Sequence, residues 1–194
     1  MKVGSDREKL LKLLRNALLN NDEQISTIET HEEIFTPCND DPVMIFAEKL
    51  SMDGGRFVYC QNEAELFEKL NNMAQYRSWS GYNAYSSNLQ SYLQSNNINA
   101  TLADPSVNVG ISLCQGIVAP TGSIIITSSQ GAGTNLTHFP QIMMVIAMTS
   151  QIYTSYKQIL ELMPETPPEW ILSIKSGKLI EEEIKELYIF VVDE

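Results

Sequence analysis

The chain has 194 residues, of which 24 are acidic and 13 are Lys or Arg, giving a formal net charge of −11. Nucleic-acid binding draws much of its affinity from basic side chains that neutralise phosphates, so this balance argues against a nucleic-acid partner. The same shortage of basic residues argues against docking to anionic membranes. With this length and 43% hydrophobic residues, we expect one domain with an appendage.

The chain contains three cysteines, Cys38, Cys60 and Cys114, which lie far apart and form no C-x-x-C pair. The usual iron–sulfur, zinc-ribbon and thioredoxin spacings are therefore missing. Two histidines without a clustered carboxylate give no metal site, and no motif indicates a bound cofactor. The N-terminal residues lack an apolar signal core, and no apolar run reaches membrane-spanning length. We therefore expect a cytoplasmic protein with reduced thiols.

The first 40 residues predict a helical arm and a connector. Ser5 and Glu8 form an S-x-x-E capping box, and leucines follow it at helical spacing. Residues 22–40 have no steady period, which is typical of a connector. We therefore divide the chain into an N-terminal arm and connector, residues 1–40, and an α/β domain, residues 41–194.

The domain begins with helical and strand-like segments. In chain order they are a helix that Asp41-Pro42 begins and Gly54-Gly55 ends, a strand at 56–60, a helix capped by Asn62, and a helix capped by Ser86 or Ser87. Residues 76–85 have a poor pattern, and residues 98–106 indicate a loop. A strand that leads directly into an amphipathic helix is typical of a β-α-β unit.

The second half of the domain has the stronger strand signals. It predicts strands within 109–129 and at 142–148, a helix capped by Thr149 or Ser150 that Pro164 ends, a strand at 170–174, a short helix at 178–187 and a strand at 188–192. The run 142–148 is apolar throughout, as in a central strand covered on both faces. The alternation predicts a three-layer α/β/α fold with a mostly parallel sheet.

The candidate site lies in a stretch, residues 105–156, that contains no Asp, Glu, Lys or Arg. Its loops are rich in Gly, Ser and Thr, and free backbone N–H groups at the carboxyl ends of parallel strands can bind a ligand. The candidate ligand-binding residues are Thr121, Gly122, Ser123, Ser128, Ser129, Gly131, Gly133, Thr134 and Asn135. The alternative is a tight turn that needs the positive φ of glycine, since neither the dinucleotide fingerprint nor a Walker A sequence is present.

The same stretch offers little that could transfer a proton or attack a substrate. His138 is its one imidazole and a candidate general base, but no orienting partner is evident, so we interpret it as a partly exposed histidine on a polar turn. Cys114 is interpreted as a small buried hydrophobe, because no cation in the stretch would lower its pKa. The carboxylates nearest to predicted strand ends are those of Glu63, Asp104 and Asp193.

An ordered set of segments resembles a known family. It comprises Thr121-Gly122-Ser123 before an isoleucine run, a Ser/Gly loop, Leu136-Thr137, Pro140 and Thr149-Ser150-Gln151. In addition, Gly54 to Glu63 is similar to the first core strand of that family, and Glu186 to Asp193 is similar to its last. Over roughly residues 42 to 194 the chain is thereby similar to the LUD domain, the family of the lactate-utilization protein C subunit, and in particular to its short Bacteroidetes-type members. The resemblance implies the fold of sugar-phosphate isomerases and CoA transferases.

Three positions depart from the family pattern. Asn135 stands where typical members have Arg, Met143 stands where they have His, and Pro120 stands where they often have Glu or Arg. An anionic substrate would lose a guanidinium partner, whose charge-assisted hydrogen bonds are about twice as strong as neutral ones. A CoA-transferase mechanism also needs a carboxylate nucleophile, and an isomerase needs an acid–base pair.

The resemblance leads to two hypotheses of function. The first is an accessory LUD-domain protein linked to lactate utilization and without catalysis, which binds an unidentified small molecule, iron–sulfur partner subunits or a second copy of itself. The alternative is a small-molecule enzyme of the acyl-CoA or sugar-phosphate type, with a site formed by Thr121, Ser123, Ser128, Asn135 and His138. The missing Arg, His and carboxylate favour the first hypothesis.

Overall fold

Two sheets and four helices make up the described part of the chain. The computed structural model describes residues 41–102, 104, 106–130, 140–164, 166–175 and 184–193. The helices are α1 (Pro42–Met52), α2 (Glu63–Arg77), α3 (Ser87–Ser95) and α4 (Tyr156–Glu161). The strands are β1 (Arg56–Cys60), β2 (Tyr82–Ala84), β3 (Ala100–Leu102), β4 (Val109–Leu113), β5 (Gly116–Val118), β6 (Ser123–Thr127), β7 (Ile142–Met148), β8 (Ile152–Tyr153), β9 (Ile171–Lys175) and β10 (Glu186–Val192).

The larger sheet has six strands in the order β1-β10-β7-β4-β2-β3, and every neighbouring pair is parallel. The smaller sheet has the order β8-β5-β6-β9. In the smaller sheet β6 is antiparallel to both of its neighbours, and β5 and β8 are parallel. The predicted α/β fold with a mostly parallel sheet is confirmed.

Both faces of the larger sheet are covered, and alternate residues of its central strands point to opposite faces. Met143 and Val145 of β7 pack with the smaller sheet and α1, whereas Met144 and Ile146 pack with α2 and α3. All four side chains are at most 3% exposed. This double burial is why the strand is apolar throughout. The layer opposite α2 and α3 thus contains a sheet in addition to helix α1.

Three predicted helix starts are confirmed by their caps. Asp41 Oδ1 accepts a hydrogen bond of 2.9 Å from the N–H of Val43 at the start of α1. Asn62 Oδ1 accepts one of 3.0 Å from the N–H of Glu65 at the start of α2. Ser86 caps α3 in the same way. Each cap satisfies an N–H group that lacks an acceptor within the helix.

The segment after β7 differs from the prediction of a helix from Thr149 or Ser150. The structure has a 3-10 turn at Thr149–Gln151 and then strand β8, and α4 begins only at Tyr156. Ile152 and Tyr153 pair with the neighbouring strand β5. This pairing with a distant segment overrides the helical period of the local sequence.

Other differences concern short elements. Strands β2 and β3, each of three residues, lie where the sequence indicates a poor pattern and a loop. Glu186 and Leu187, predicted as the end of a helix, are the first residues of β10. The remainder of that predicted helix up to residue 183, and the predicted arm and connector at 1–40, lie outside the described residues. Within the part of the chain that the structure describes, no helix combines the length and apolar character needed to span a membrane.

Candidate functional site

The carboxyl ends of β2 and β4 mark the point where the connections of the parallel sheet diverge. After β2 the chain passes to α3 on one face, and after β4 it passes to β5 and β6 on the other. Because β2 and β4 are neighbours, the two departing segments leave a crevice between them. In open α/β sheets such a crevice, outside the carboxyl ends of the strands, is the usual place for a ligand.

A cavity of about 700 Å³ occupies this crevice. We call it the switch-point cavity. Its polar lining consists of hydroxyls and carboxamides, contributed by Ser86, Ser87, Asn88, Ser129, Gln130 and Gln151. Its apolar lining includes Leu102, Leu113, Ile146 and Met148. The described lining residues include no Asp, Glu, Lys, Arg or His, and the volume is that of a typical small-molecule site.

The N-terminus of α3 lies on one side of the switch-point cavity. The Oγ of Ser86 accepts a hydrogen bond of 3.1 Å from the N–H of Leu89. The N–H groups of Ser87 and Asn88 belong to the first turn of the helix and have no acceptor within it. Their aligned dipoles give this side of the cavity a positive partial charge, which favours an oxygen atom of a ligand.

Two lining carboxamides fix the loops at the cavity wall. Gln130 Oε1 accepts hydrogen bonds from the N–H of Thr127 at 2.8 Å and from its hydroxyl at 2.7 Å, while Gln130 Nε2 donates to Gln115 Oε1 at 2.8 Å. Gln151 Oε1 accepts from the N–H of Met148 at 2.8 Å. Both side chains therefore hold the backbone in place, which leaves Ser87, Asn88 and Ser129 as the side chains that can bind a ligand.

The titratable groups of the described lining are protonated at neutral pH. Cys114 is 2% exposed, and burial raises the pKa of its thiol to about 12. Burial also raises the pKa of the Tyr85 phenol. A nucleophilic cysteine needs a thiolate, so Cys114 acts as the small buried hydrophobe that the sequence predicts. The cavity can thus hold a ligand through hydrogen bonds and apolar contacts.

Comparison with known proteins finds one family and one solved structure that this chain resembles. Residues 103–173 match the family model of the LUD domain. Over these residues the chain is similar to the LUD domain. The crystal structure of a DUF162 family protein from Deinococcus radiodurans has the same fold, with a TM-score of 0.63 and 14% identity over 78% of this chain and 96% of that chain. No curated protein matches the chain.

The LUD match covers one wall of the switch-point cavity. It includes β4 and the segments that carry Ser129, Gln130 and Gln151, whereas the N-terminus of α3 precedes it. The predicted resemblance to the LUD domain is confirmed, and with it the α/β fold.

The structure separates the predicted ligand-binding residues into two places. Ser129 lines the switch-point cavity, and the neighbouring Ser128 Oγ accepts a hydrogen bond of 3.0 Å from the N–H of Glu169. Thr121 and Gly122 precede β6 and Ser123 is its first residue, at the end opposite Ser128, and none of the three lines the cavity. Gly131, Gly133, Thr134, Asn135 and the candidate base His138 lie outside the described residues.

Gly122 serves the turn between β5 and β6. It follows the 3-10 turn Ala119–Thr121 with a φ of +65°, a conformation that residues with a Cβ rarely adopt. A Cβ at this position would lie 2.9 Å from the Cγ of Lys49. The tight-turn alternative thus accounts for this glycine. Pro120, at a position where the family often has Glu or Arg, lies in the 3-10 turn that precedes this glycine.

Met143 stands where typical LUD domains have His, and it is fully buried. Its side chain is 0% exposed and packs between the two sheets. It points to the face of β7 opposite Met144 and has no place in the lining of the switch-point cavity. The Met143 side chain therefore contributes to the hydrophobic core.

The three carboxylates nearest to strand ends do not line the switch-point cavity. Asp193 lines a second cavity of about 720 Å³ at the ends of β1 and β10, where its Oδ2 accepts a hydrogen bond of 2.7 Å from the Tyr59 hydroxyl. Asp104 accepts hydrogen bonds from the N–H and hydroxyl of Ser106, which lower its pKa. Glu63 lies in the first turn of α2. Among the described residues no group of three or more His, Cys, Asp or Glu could hold a metal ion.

Sequence reasoning missed Ser87, Asn88, Gln130 and Gln151 as lining residues. A signal for the first two was present, because the sequence predicts a helix start at Ser86 or Ser87. The three residues of β2 gave no strand pattern, so this helix start could not be assigned to the carboxyl edge of the sheet. Gln130 had no such signal, and Gln151 was noted only as part of the Thr149-Ser150-Gln151 segment of the LUD resemblance.

Proposed function

We propose that this LUD-domain protein binds a small oxygen-rich organic molecule, such as a hydroxy acid or an oxo acid, in the switch-point cavity. We further propose that it has an accessory role linked to lactate utilization. The observation that carries this proposal is a cavity at the divergence point of a parallel sheet, lined by neutral hydrogen-bonding groups and bordered by the start of α3. Such a site favours ligands with carbonyl, hydroxyl or carboxylate oxygens.

The lining chemistry supports binding rather than turnover. Ser87, Asn88 and Ser129 offer hydroxyl and amide groups, while the thiol of Cys114 and the phenol of Tyr85 stay protonated at neutral pH. An isomerase needs a positioned acid and base, and a CoA transferase needs a carboxylate nucleophile. The described lining residues supply neither.

The link to lactate utilization comes from the LUD resemblance. In this role the protein would leave redox chemistry to iron–sulfur partner subunits, since the chain has no C-x-x-C motif of its own. Association with a second copy of the chain is the other form that the accessory role could take. Small hydroxy and oxo acids fit both the proposed role and the oxygen-binding character of the cavity.

Binding can be tested by the thermal unfolding midpoint, Tm, measured with L-lactate, pyruvate, coenzyme A and ribose 5-phosphate as separate probes. A ligand that binds only the folded state stabilises it by RT ln(1 + [L]/Kd), so Tm rises as the ligand concentration exceeds Kd. We expect lactate or pyruvate to raise the Tm of the wild type. Leu113→Trp should abolish the rise, because Leu113 lines the cavity and the larger indole would fill it.

A matched control is Leu160→Trp. Leu160 is 58% exposed on α4 and does not line the cavity, so this variant should keep the wild-type response. The binding proposal is rejected if neither acid raises Tm or if both variants respond alike. The accessory role is rejected by acyl-CoA or sugar-phosphate turnover that disappears in Asn135→Ala or His138→Ala.

A further inference from the structure

The second cavity, of about 720 Å³, lies at the carboxyl ends of β1, β10 and β7 and has a charged lining. Two carboxylates, from Asp41 and Asp193, line it together with the hydroxyls of Tyr59, Thr149 and Ser150. Its described lining residues include no Lys, Arg or His. We call it the acidic cavity. It differs in charge from the switch-point cavity, whose described lining contains no carboxylate.

Both carboxylates are held by hydrogen bonds within the protein. Asp193 Oδ2 accepts a hydrogen bond of 2.7 Å from the Tyr59 hydroxyl, and Asp193 Oδ1 accepts one of 3.3 Å from the Thr149 hydroxyl. Asp41 Oδ1 accepts one of 2.9 Å from the N–H of Val43. A carboxylate can accept about four hydrogen bonds, so these contacts leave room for a further donor. The three donors are neutral, and none of them offsets the negative charge.

The lysines of the two adjacent helices pair with acidic residues outside the cavity. Lys49 on α1 forms an ion pair of 3.2 Å with Asp53, and Lys69 on α2 forms one of 2.7 Å with Glu65. Within the part of the chain that the structure describes, no Lys or Arg forms an ion pair with Asp41. A positive charge beside this carboxylate would therefore come from a ligand.

The start of α1 does not favour an anion in the acidic cavity. Helix N-termini often bind anions through free N–H groups. Here the first helical residue is Pro42, which has no N–H, and the N–H of Val43 is already bound to the Asp41 side chain. The carboxylate of the protein itself thus takes the position that an anionic ligand would need.

The remaining wall of the acidic cavity is aromatic and apolar. Phe57 and Tyr59 lie two residues apart on β1, so their rings share one face of the strand. The Phe57 ring packs edge-on against Phe46, with 6.1 Å between the ring centroids, and the bond to Asp193 fixes the Tyr59 ring, which is 40% exposed. Aromatic faces attract organic cations. The rest of the lining comprises Pro42, Val43, Met44 and Ile152.

We propose that the acidic cavity binds a small organic ammonium ion, such as a protonated primary alkylamine. Asp41 and Asp193 balance its positive charge, and its N–H groups donate to the carboxylate and hydroxyl oxygens of the lining. Its carbon chain contacts the aromatic and apolar wall. The site is separate from the proposed hydroxy-acid site, because Thr149 and Ser150 line this cavity whereas Gln151 lines the other.

The probe for this proposal is n-butylammonium chloride, titrated at low, constant ionic strength into nitrogen-15-labelled protein and followed by amide NMR signals. We expect saturable shifts at Tyr59, Thr149 and Asp193, while the signals of Ser87 and Asn88 at the switch-point cavity stay in place. The neutral match, 1-butanol, should cause no saturable shift. The proposal is overturned if the shifts do not saturate, or if 1-butanol or magnesium chloride at the same concentration produces the same shifts.

A pair of variants tests the charge at this site. Asp41→Asn keeps a side-chain oxygen that can cap α1, and it should raise the Kd of n-butylammonium about three- to fivefold, as expected where solvent screens the charge. Glu48→Gln makes the same change in net charge at an exposed position of α1 outside the cavity, so its Kd should equal that of the wild type. Equal Kd values for the two variants overturn the proposal.

A second pair of variants tests the aromatic wall. Tyr59→Leu removes the ring and should raise the Kd about two- to fivefold, the range of a cation–π contact at an exposed site. Tyr59→Phe keeps the ring and should raise it less. Circular dichroism confirms that each variant is folded. The proposal is also overturned if Tyr59→Leu binds n-butylammonium as tightly as the wild type.

Discussion

The side-chain amide of Gln151 donates a hydrogen bond of 3.0 Å to the backbone carbonyl of Cys114. Gln151 follows β7 and Cys114 follows β4, so this bond joins the ends of two neighbouring strands at the wall of the switch-point cavity. The other end of the same carboxamide accepts the N–H of Met148. One side chain thereby satisfies two backbone groups where the regular sheet stops.

Replacing this side chain should destabilise the protein. Gln151→Ala leaves the N–H of Met148 and the carbonyl of Cys114 without their partner, which costs about 1–3 kcal/mol when such groups remain buried. Urea unfolding followed by circular dichroism measures the change. Gln75→Ala is the matched control, because Gln75 is exposed on α2 and its side chain forms no hydrogen bond with a described residue. Equal midpoints for the two variants would contradict the prediction.

Glu186 should make the stability depend on pH. Partial burial raises its pKa, but hydrogen bonds from Tyr188 and Arg77 and the charges of Arg77 and Arg56 outweigh this, and its pKa lies below the ordinary value. Because the folded-state pKa is depressed, the stabilisation is present above the unfolded pKa and is lost as pH falls through the folded pKa.

The test compares the urea midpoints of wild type and Glu186→Gln at pH 7 and at steps below pH 4.5. We expect the variant to be less stable at pH 7 and the difference to narrow as the pH falls. Glu68→Gln is the control, since Glu68 is exposed on the adjacent helix α2 and forms no ion pair within the described residues. A gap between wild type and Glu186→Gln that stays constant over the acid range would rule out this role.

Gly122→Ala should cost about 1–2 kcal/mol, the usual penalty of a left-handed conformation for a residue with a Cβ. The contact with the Lys49 side chain offers a second explanation for the cost. The same substitution in a Lys49→Ala background separates the two, because only the steric part disappears there. We expect most of the cost to persist in the double variant. If the cost vanishes, the glycine is required for close packing and its positive φ is secondary.

Met143→His, which introduces the residue type typical of the family, should destabilise this chain by about 2–5 kcal/mol, as for loss of a buried apolar side chain. The position is fully buried, so the introduced imidazole should resist protonation and have a lowered pKa. The unfolded chain would then bind the proton more readily, and the destabilisation should be larger at pH 5 than at pH 8.

Met52→His is the matched control for this substitution, because Met52 is 72% exposed at the end of α1. Its effect on the urea midpoint should be small at both pH values. If Met143→His is tolerated as well as Met52→His, position 143 has access to solvent that the structure does not indicate.

The parts of the fold that could be predicted are those fixed by local chemistry or by a long apolar period. Asp41 and Asn62 are recognisable caps, and residues 142–148 are apolar on both sides because both faces of the strand are buried. Strand β8 could not be predicted, since its two residues are held by pairing with β5. Such a contact between distant segments leaves no trace in the local pattern.

The candidate site could likewise be predicted only in part from the sequence. Composition drew attention to the uncharged Gly, Ser and Thr loops, and of the residues named there Ser129 lines the cavity. Composition could not show that Ser123 begins strand β6 and Ser128 follows its end, so that the two serines lie at opposite ends of this strand. The lining residue Ser87 comes from a different part of the chain, and only the strand order of the sheet brings it to the cavity.

The ionic network around Glu186 lies at the amino end of β10, whereas the switch-point cavity lies at the carboxyl edge of the same sheet. A strand of seven residues spans about 20 Å, more than the Debye length of roughly 8 Å under physiological conditions. Added salt should therefore weaken the ion pairs of Glu186 and leave the uncharged wall of the switch-point cavity unaffected. Ionic strength thus becomes a means of loosening the amino end of β10 while the neutral hydrogen bonds of Gln151 at the other end of the sheet stay intact.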